Sequence, residues 1–139
     1  MVATPHAVNP YADGMQLAAG LAARVEATVG AADTAEALGS GDVPVLATPR
    51  VVALVEAATV AATAGQLAPG SITVGTRVEI EHLAATPVGR QVVAEARLVA
   101  IDGRRLVFTV AMHDGDTLAA QGQVERIVVD RERFLGKAG

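Results

Sequence analysis

The feature that most restricts the fold of this chain is the apolar stretch over residues 46–64, LATPRVVALVEAATVAATA. Thr48 predicts a helix N-cap, Pro49 suits the first helical position, and Gly65 predicts the end of the helix. Only two charged residues lie within the stretch, and one of them, Glu56, stands in its middle. A helix without a continuous polar face is typical of a protein interior. The sequence therefore predicts one long, buried central helix.

Glu56 is the residue in this helix that most needs an explanation. A carboxylate among apolar neighbours must be hydrogen-bonded, paired with a cation, or shifted in pKa. Groups perturbed in this way concentrate at functional sites. Glu56 is therefore the first candidate for a catalytic residue.

The size and composition favour a single domain with a core of small aliphatic side chains. The chain has 139 residues, of which 51% are hydrophobic and 2% aromatic. We expect a flexible leader over residues 1–16, which contains an isolated His6, and one domain over residues 17–139. No internal repeat divides that domain.

Charge and cysteine content exclude several classes of protein. The net charge is -4, which argues against general nucleic-acid binding, although residues 77–139 carry nine basic and nine acidic groups. There is no cysteine and no run of 18 apolar residues, so we expect no disulfide, no metal site, no membrane span and a cytoplasmic location. We also expect no bound cofactor.

Alternating apolar and polar residues predict five strands around the helix. The first covers residues 21–29, and the other four follow the helix, with hairpin turns at Asp102-Gly103 and Asp114-Gly115. Residues 30–42 are small and polar and predict a lid-like loop with one helical turn over residues 34–38. The predicted class is α+β, an antiparallel sheet wrapped around one long helix.

The alternation also predicts which side chains face that helix. In the second strand, Val74, Val78, Ile80 and His82 share the inner face. In the last strand, Arg126 falls on the inner face, where an apolar residue is expected. Since Glu56 belongs to the enclosed helix, His82 and Glu56 are predicted to lie close together.

Several segments resemble the fluoroacetyl-CoA thioesterase family of hot-dog folds. They are VLATPRVVALVEAA, VGTRVEIEHLAATPVG, IDGRRL, AMHDG and VERIVVDRERF, and the likeness covers about residues 45–134. Thr48, Glu56 and His82 match the positions of that family's catalytic triad, with the same spacings of 8 and 26 residues. Gly75 matches its oxyanion-side glycine, and Arg126 matches an arginine of its site.

The resemblance implies hydrolysis of a short acyl-CoA thioester at sites on the interface of a homodimer, with assembly into tetramers left open. Glu56 would attack the carbonyl or activate water, His82 would act as general base and then acid, and Thr48 would orient either one. The Gly75 N–H would polarise the carbonyl. The lid segment GSGDVPV departs from the family, because it lacks gating aromatic residues and has Asp42 instead. Fluoroacetyl selectivity is therefore not implied.

Structural explanations exist for the same residues. Glu56 can be a structural carboxylate paired with Arg126, His82 a core histidine, and Thr48 a simple helix cap. The alternative functions are a hot-dog module that binds an acyl-CoA or another small ligand without hydrolysing it, and a hydratase or dehydratase. Four arginines are candidates for the CoA phosphates: Arg77, Arg90, Arg104 and Arg105.

Overall fold

The computed structural model describes residues 16–139, so the predicted leader lies outside the described residues except for Gln16. The strands are β1 (Ala22–Thr28), β2 (Ser71–His82), β3 (Gln91–Asp102), β4 (Arg105–Asp114) and β5 (Thr117–Asp130). The helices are α1 (Ala35–Leu38), preceded by a 3-10 turn (Ala31–Asp33), then α2 (Thr48–Ala62) and α3 (Arg131–Lys137). Every predicted strand is present, and α1 is the predicted helical turn of the loop.

The five strands form one antiparallel sheet in the order β1-β3-β4-β5-β2. Helix α2 packs across one face of this sheet, chiefly against β1 and β3. The predicted α+β class is therefore confirmed, and the inward residues of the middle strands are those that the alternation selects. They include Val92, Ala94, Ala96, Leu98, Leu106, Phe108, Val110, Met112 and Val124.

Helix α2 begins one residue before the predicted position. Ala47 is the N-cap, with an extended backbone and no side-chain hydrogen bond, and Thr48 is already the first helical residue. The prediction that Thr48 caps the helix is therefore wrong, and its hydroxyl is available for another contact. Gly65, at a φ of 76°, follows the end of the helix as predicted.

Helix α2 buries one side and leaves another open. Val51, Val55 and Ala58 are fully buried against the sheet. The opposite side is also apolar, although it is exposed in the single chain. Its exposed residues follow helical spacing: Ala53, Ala57, Val60, Ala61 and Ala64. In the single chain, therefore, α2 is buried on one side only, although it has no polar face.

Strand β2 contains a bulge that changes which residues face the helix. Gly75 is opposite Arg126 of β5 and Arg77 is opposite Glu125, so Thr76 has no partner in the ladder. An extra residue reverses the alternation on one side of a bulge. The inner residues are therefore Gly75, Val78 and His82, whereas Val74 lies on the outer face, and its predicted position was wrong.

Helix α3 was not predicted. Asp130 caps it by accepting a hydrogen bond from the Arg133 N–H at 2.9 Å. Glu132 in the first turn and Lys137 in the last turn suit the helix dipole. This cap and charge pattern was present in the sequence.

Gly122→Ala is expected to destabilise the fold by about 3 kcal/mol or more, because overpacking acts here against rigid backbone. A methyl group at Gly122 of β5 would overlap the backbone carbonyl of Glu79 in the adjacent β2. Gly136→Ala is the matched control, because nothing lies within 4 Å of that added methyl and alanine favours a helix. Chemical denaturation measures both, and equal stability of the two variants would contradict this packing.

Candidate active site

Thr48 and His82 form the first of two polar clusters beside α2. The Thr48 hydroxyl lies 2.8 Å from His82 Nδ1 and shares a hydrogen bond with it. The other ring nitrogen, Nε2, is buried and has no hydrogen-bond partner within residues 16–139. An unpaired buried nitrogen costs about 1–3 kcal/mol, so it calls for a functional explanation.

Glu56 and Arg126 form the second cluster. Arg126 donates from Nη1 to Glu56 Oε2 at 3.1 Å, and from Nε and Nη2 to the hydroxyl and carbonyl of Thr73 at 2.9 and 3.0 Å. The Arg126 side chain is 9% exposed and that of Glu56 is 34% exposed. Arg126, which the alternation places on the inner face of β5, is thus the counter-ion of the Glu56 carboxylate.

Burial and pairing act on Arg126 in opposite directions. Loss of solvent lowers the pKa of Arg126, and the nearby Glu56 carboxylate partly counteracts this shift. Arginine nevertheless stays protonated in proteins. The site therefore holds a permanent positive charge behind the Glu56 carboxylate.

Gly75 makes room for that carboxylate. A methyl group at Gly75 would lie 2.5 Å from Glu56 Oε2 and 3.4 Å from Arg126 Nη1. Only a residue without a side chain lets the carboxylate rest against the backbone of β2. Three predicted site residues, Gly75, Glu56 and Arg126, are therefore in mutual contact.

The two clusters are not in contact with each other. Gly75 and His82 both face the helix, but they lie seven residues apart on β2 with one residue in the bulge. At about 3.3 Å per residue, roughly 20 Å separates them along the strand. The predicted proximity of Glu56 and His82 is therefore not found within one chain, because a shared face does not imply a shared position along it.

A cavity of about 310 Å³ adjoins the Thr48–His82 cluster. Its lining includes Ser40, Gly41 and Val43 from the lid loop, together with Ala84. The volume falls in the range of small-molecule sites. The lid thus contributes only small or aliphatic side chains to a cavity that reaches His82.

Asp33 anchors the lid to the start of α2. Its carboxylate accepts hydrogen bonds from the Gly30 N–H at 2.8 Å and from Arg50 Nε at 2.9 Å. The Gly30 hydrogen bond lowers the pKa of Asp33, burial opposes the shift, and Arg50 adds to it. Arg50 lies two residues after Thr48, so this pair fixes the lid beside the catalytic candidates. The sequence analysis missed it.

The arginines considered for phosphate binding differ in their contacts. Arg77 pairs with Glu79, Arg90 with Asp114, and Arg105 with Glu125. Arg104 is exposed beside the β3–β4 turn and forms no ion pair within the described chain.

Neither a metal-binding cluster nor a membrane-spanning helix occurs within residues 16–139. No cluster of three or more histidine, aspartate or glutamate side chains there is arranged to hold a metal ion. No helix in this part of the chain has the length and apolar character needed to cross a bilayer.

Comparison with known proteins gives one consistent match. Residues 29–132 match the family described as fluoroacetyl-CoA-specific thioesterase. The fluoroacetyl-CoA thioesterase of Streptantibioticus cattleyicolor is 42% identical over 93 residues, which are 67% of each chain.

Solved structures agree with the sequence match. A mutant of the fluoroacetyl-CoA thioesterase FlK in complex with acetyl-CoA is 33% identical, with a TM-score of 0.83 over 88% of this chain and 96% of that one. A hot-dog-like protein from Thermanaerovibrio acidaminovorans is 22% identical, with a TM-score of 0.79 over 86% and 89% of the two chains. The second likeness concerns the fold alone, and the predicted hot-dog fold is confirmed.

Asp33→Asn is expected to destabilise the protein by about 1 kcal/mol at pH 7, because it removes a charge-assisted bond. The pKa of Asp33 is lowered in the folded state, so its stabilisation is present above the unfolded pKa of about 4 and is lost as pH falls through the folded pKa. The difference in free energy of unfolding between the wild type and Asp33→Asn should therefore become smaller below pH 4. Denaturation at several pH values measures it, and the exposed lid variant Asp42→Asn is the control. A gap that is constant with pH would contradict this role.

Proposed function

Because the chain belongs to the fluoroacetyl-CoA-specific thioesterase family, we propose that it hydrolyses a short-chain acyl-CoA thioester to the free acid and CoA. The observation that carries the proposal is the contact of Glu56 with Gly75 and the buried Arg126. It holds a partly exposed carboxylate against a strand backbone, where a thioester carbonyl can approach. No cofactor is required, since CoA is part of the substrate.

Each residue then has a defined task. Glu56 attacks the thioester carbonyl or activates the water that does so, and the Gly75 N–H stabilises the charge that develops on the carbonyl oxygen. Arg126 orients Glu56 through its 3.1 Å hydrogen bond. His82 takes a proton from water and later gives one to the departing CoA thiolate.

Thr48 determines which ring nitrogen of His82 accepts and donates the proton. For Nε2 to accept a proton, Nδ1 must be protonated and must donate to the Thr48 hydroxyl oxygen 2.8 Å away. Nε2 is the ring nitrogen that has no partner within residues 16–139. Thr48 is thus a positioning residue in this mechanism.

The mechanism requires two chains. Within one protomer, Glu56 rests against Gly75, and His82 lies about 20 Å away along β2. A homodimer can supply Glu56, Gly75 and Arg126 from one chain and Thr48 and His82 from the other. Two equivalent sites then follow from the two-fold symmetry. The same argument supports a homodimer as the functional unit. The cytoplasmic location stays a prediction from the sequence.

The acyl group is proposed to occupy the cavity beside His82. The cavity's small lid residues leave it open, so selectivity for fluoroacetyl over other short acyl groups is not part of the proposal. Arg104 is the preferred candidate for the CoA phosphates, since it is exposed and its side chain forms no ion pair in the described chain.

Glu56→Gln is expected to lower kcat for short acyl-CoA hydrolysis by about 100-fold or more, because the amide is neither a nucleophile nor a base. The amide can still accept from Arg126, so the fold should persist. Glu132→Gln, on the exposed α3, is the matched control. Thiol release from a panel of short acyl-CoAs measures turnover.

Two outcomes of that assay would reject hydrolysis at this site. Unchanged turnover by Glu56→Gln would remove Glu56 from the mechanism. Saturable acyl-CoA binding without thiol release by the wild type would favour the non-hydrolytic binding module, and an enoyl product would favour a hydratase or dehydratase.

Gly75→Ala is expected to reduce kcat strongly and to lower the unfolding temperature, because a displaced Glu56 no longer pairs with the buried Arg126. The added methyl meets the end of the flexible Glu56 side chain, which can move away and so leave its catalytic position. Gly136→Ala should leave both quantities near those of the wild type. Turnover by Gly75→Ala equal to that of the wild type would contradict the role of this contact.

Co-expression of Glu56→Gln with His82→Ala tests whether the sites are shared. Random pairing makes half of the dimers mixed, and each mixed dimer has one complete site of two, so about a quarter of wild-type activity should return. Glu56→Gln co-expressed with a chain carrying both substitutions is the control, because no complete site can form. Activity of the mixture no greater than that of the separate variants would exclude a shared site.

A further inference from the structure

Thr73 of β2 holds the guanidinium of Arg126 by two hydrogen bonds. Arg126 Nε donates to the Thr73 hydroxyl at 2.9 Å, and Nη2 donates to the Thr73 carbonyl at 3.0 Å. Two parallel donors of this kind commonly bind both oxygens of a carboxylate, but here the two oxygens belong to one neutral residue. The remaining nitrogen, Nη1, donates to Glu56 Oε2 at 3.1 Å.

We propose that Thr73 is a positioning residue for thioester hydrolysis. Its two oxygens fix the plane of the Arg126 guanidinium, and the guanidinium in turn holds the Glu56 carboxylate against Gly75. The proposal deepens the function proposed above and rests on it, because it concerns the residue that orients the catalytic carboxylate.

The Thr73 hydroxyl is the part of this contact that the side chain supplies. The carbonyl is present whatever residue occupies position 73, so a residue without the hydroxyl leaves only one of the two bonds. A planar group held by two parallel bonds keeps its orientation, whereas one held by a single bond can pivot about it. A pivot of the guanidinium moves Nη1 and therefore also moves the Glu56 carboxylate that it binds.

The neutrality of Thr73 matters as much as its hydrogen bonds. The Arg126 side chain is only 9% exposed, so its donors need acceptors from the protein. A carboxylate at position 73 would satisfy the donors but would also compete with Glu56 for the positive charge. Neutral oxygens satisfy Nε and Nη2 and leave the charge of Arg126 to Glu56.

The position of Thr73 on β2 joins the two parts of the proposed chemistry. Thr73 lies two residues before Gly75, so both face the helix side of the sheet, and Gly75 is directly opposite Arg126 of β5. One short segment of β2 therefore carries both the N–H assigned to the carbonyl oxygen and the contact that orients Arg126. The carboxylate and the N–H are thus positioned by the same strand.

Thr73→Val tests the hydroxyl, because valine has nearly the same shape and no acceptor. It is expected to lower kcat for short acyl-CoA hydrolysis about tenfold or more and to leave KM nearly unchanged, since the carboxylate is misplaced while the substrate contacts remain. Thr73→Ser retains the hydroxyl and should restore most of kcat. Thr109→Val, on the exposed outer face of β4, is the matched control and should behave like the wild type. A kcat of Thr73→Val equal to that of the wild type, or an equal loss in Thr73→Ser, would overturn the proposal.

A double variant separates positioning from a general loss of structure. In Glu56→Gln the carboxylate is already absent, so adding Thr73→Val should change the residual kcat very little. A substitution that only weakened the fold would lower turnover by the same factor with and without Glu56. The same factor in both backgrounds would therefore contradict a role that acts through Glu56.

The contact can also be measured without turnover, by NMR of the arginine Nε–H groups. The Arg126 Nε–H, assigned by its absence in Arg126→Lys, should exchange slowly with water in the wild type and in Thr73→Ser, and faster in Thr73→Val. Equal exchange in the wild type and Thr73→Val would overturn the contact. Exchange that depends on Thr73 in a wild type that releases no thiol would support the contact with Arg126 and reject the hydrolase, so the two failures are distinguishable.

Discussion

The ion pair between Glu56 and Arg126 is the interaction on which the rest of the site depends. It joins the middle of α2 to β5, and the same guanidinium reaches β2 through both oxygen atoms of Thr73. Burying an arginine is costly unless its donors are satisfied, and here the two neighbouring elements supply the acceptors. The pair therefore fixes the rotation of the helix relative to the strands and presents one carboxylate at a defined point of the sheet.

Small residues let this arrangement form. Gly75 leaves space for the carboxylate and Gly122 for the close approach of β2 and β5, while alanines make much of the helix surface. A chain with so few aromatic residues packs by bringing backbones together rather than by filling gaps with large side chains. In the single chain, the small side chains of α2 leave one side of the helix exposed, and one edge strand of the sheet is also unpaired. A second copy of the chain can cover both.

Sequence reasoning succeeded where the signal is local. Alternation found the five strands and the inward position of Arg126, and the apolar stretch found α2. It failed at Val74 because the bulge at Thr76 reverses the alternation, although a glycine within a strand pattern is a known sign of a bulge. It also assigned the Thr48 hydroxyl to a helix cap, whereas the hydroxyl contacts His82, 34 residues away.

The sequence by itself determined the five strands, the central helix and their order, the face of the side chains away from the bulge of β2, and the main candidates for the site. These follow from periodicity, turn residues and the residue types of a family pattern, all of which are properties of short segments. Only the tertiary structure decided which of those residues meet. Glu56 meets Arg126 and Gly75, and Thr48 meets His82, because contact depends on position along a strand and on the register between strands. The face of the sheet that a side chain occupies determines neither its position along the strand nor the register between strands.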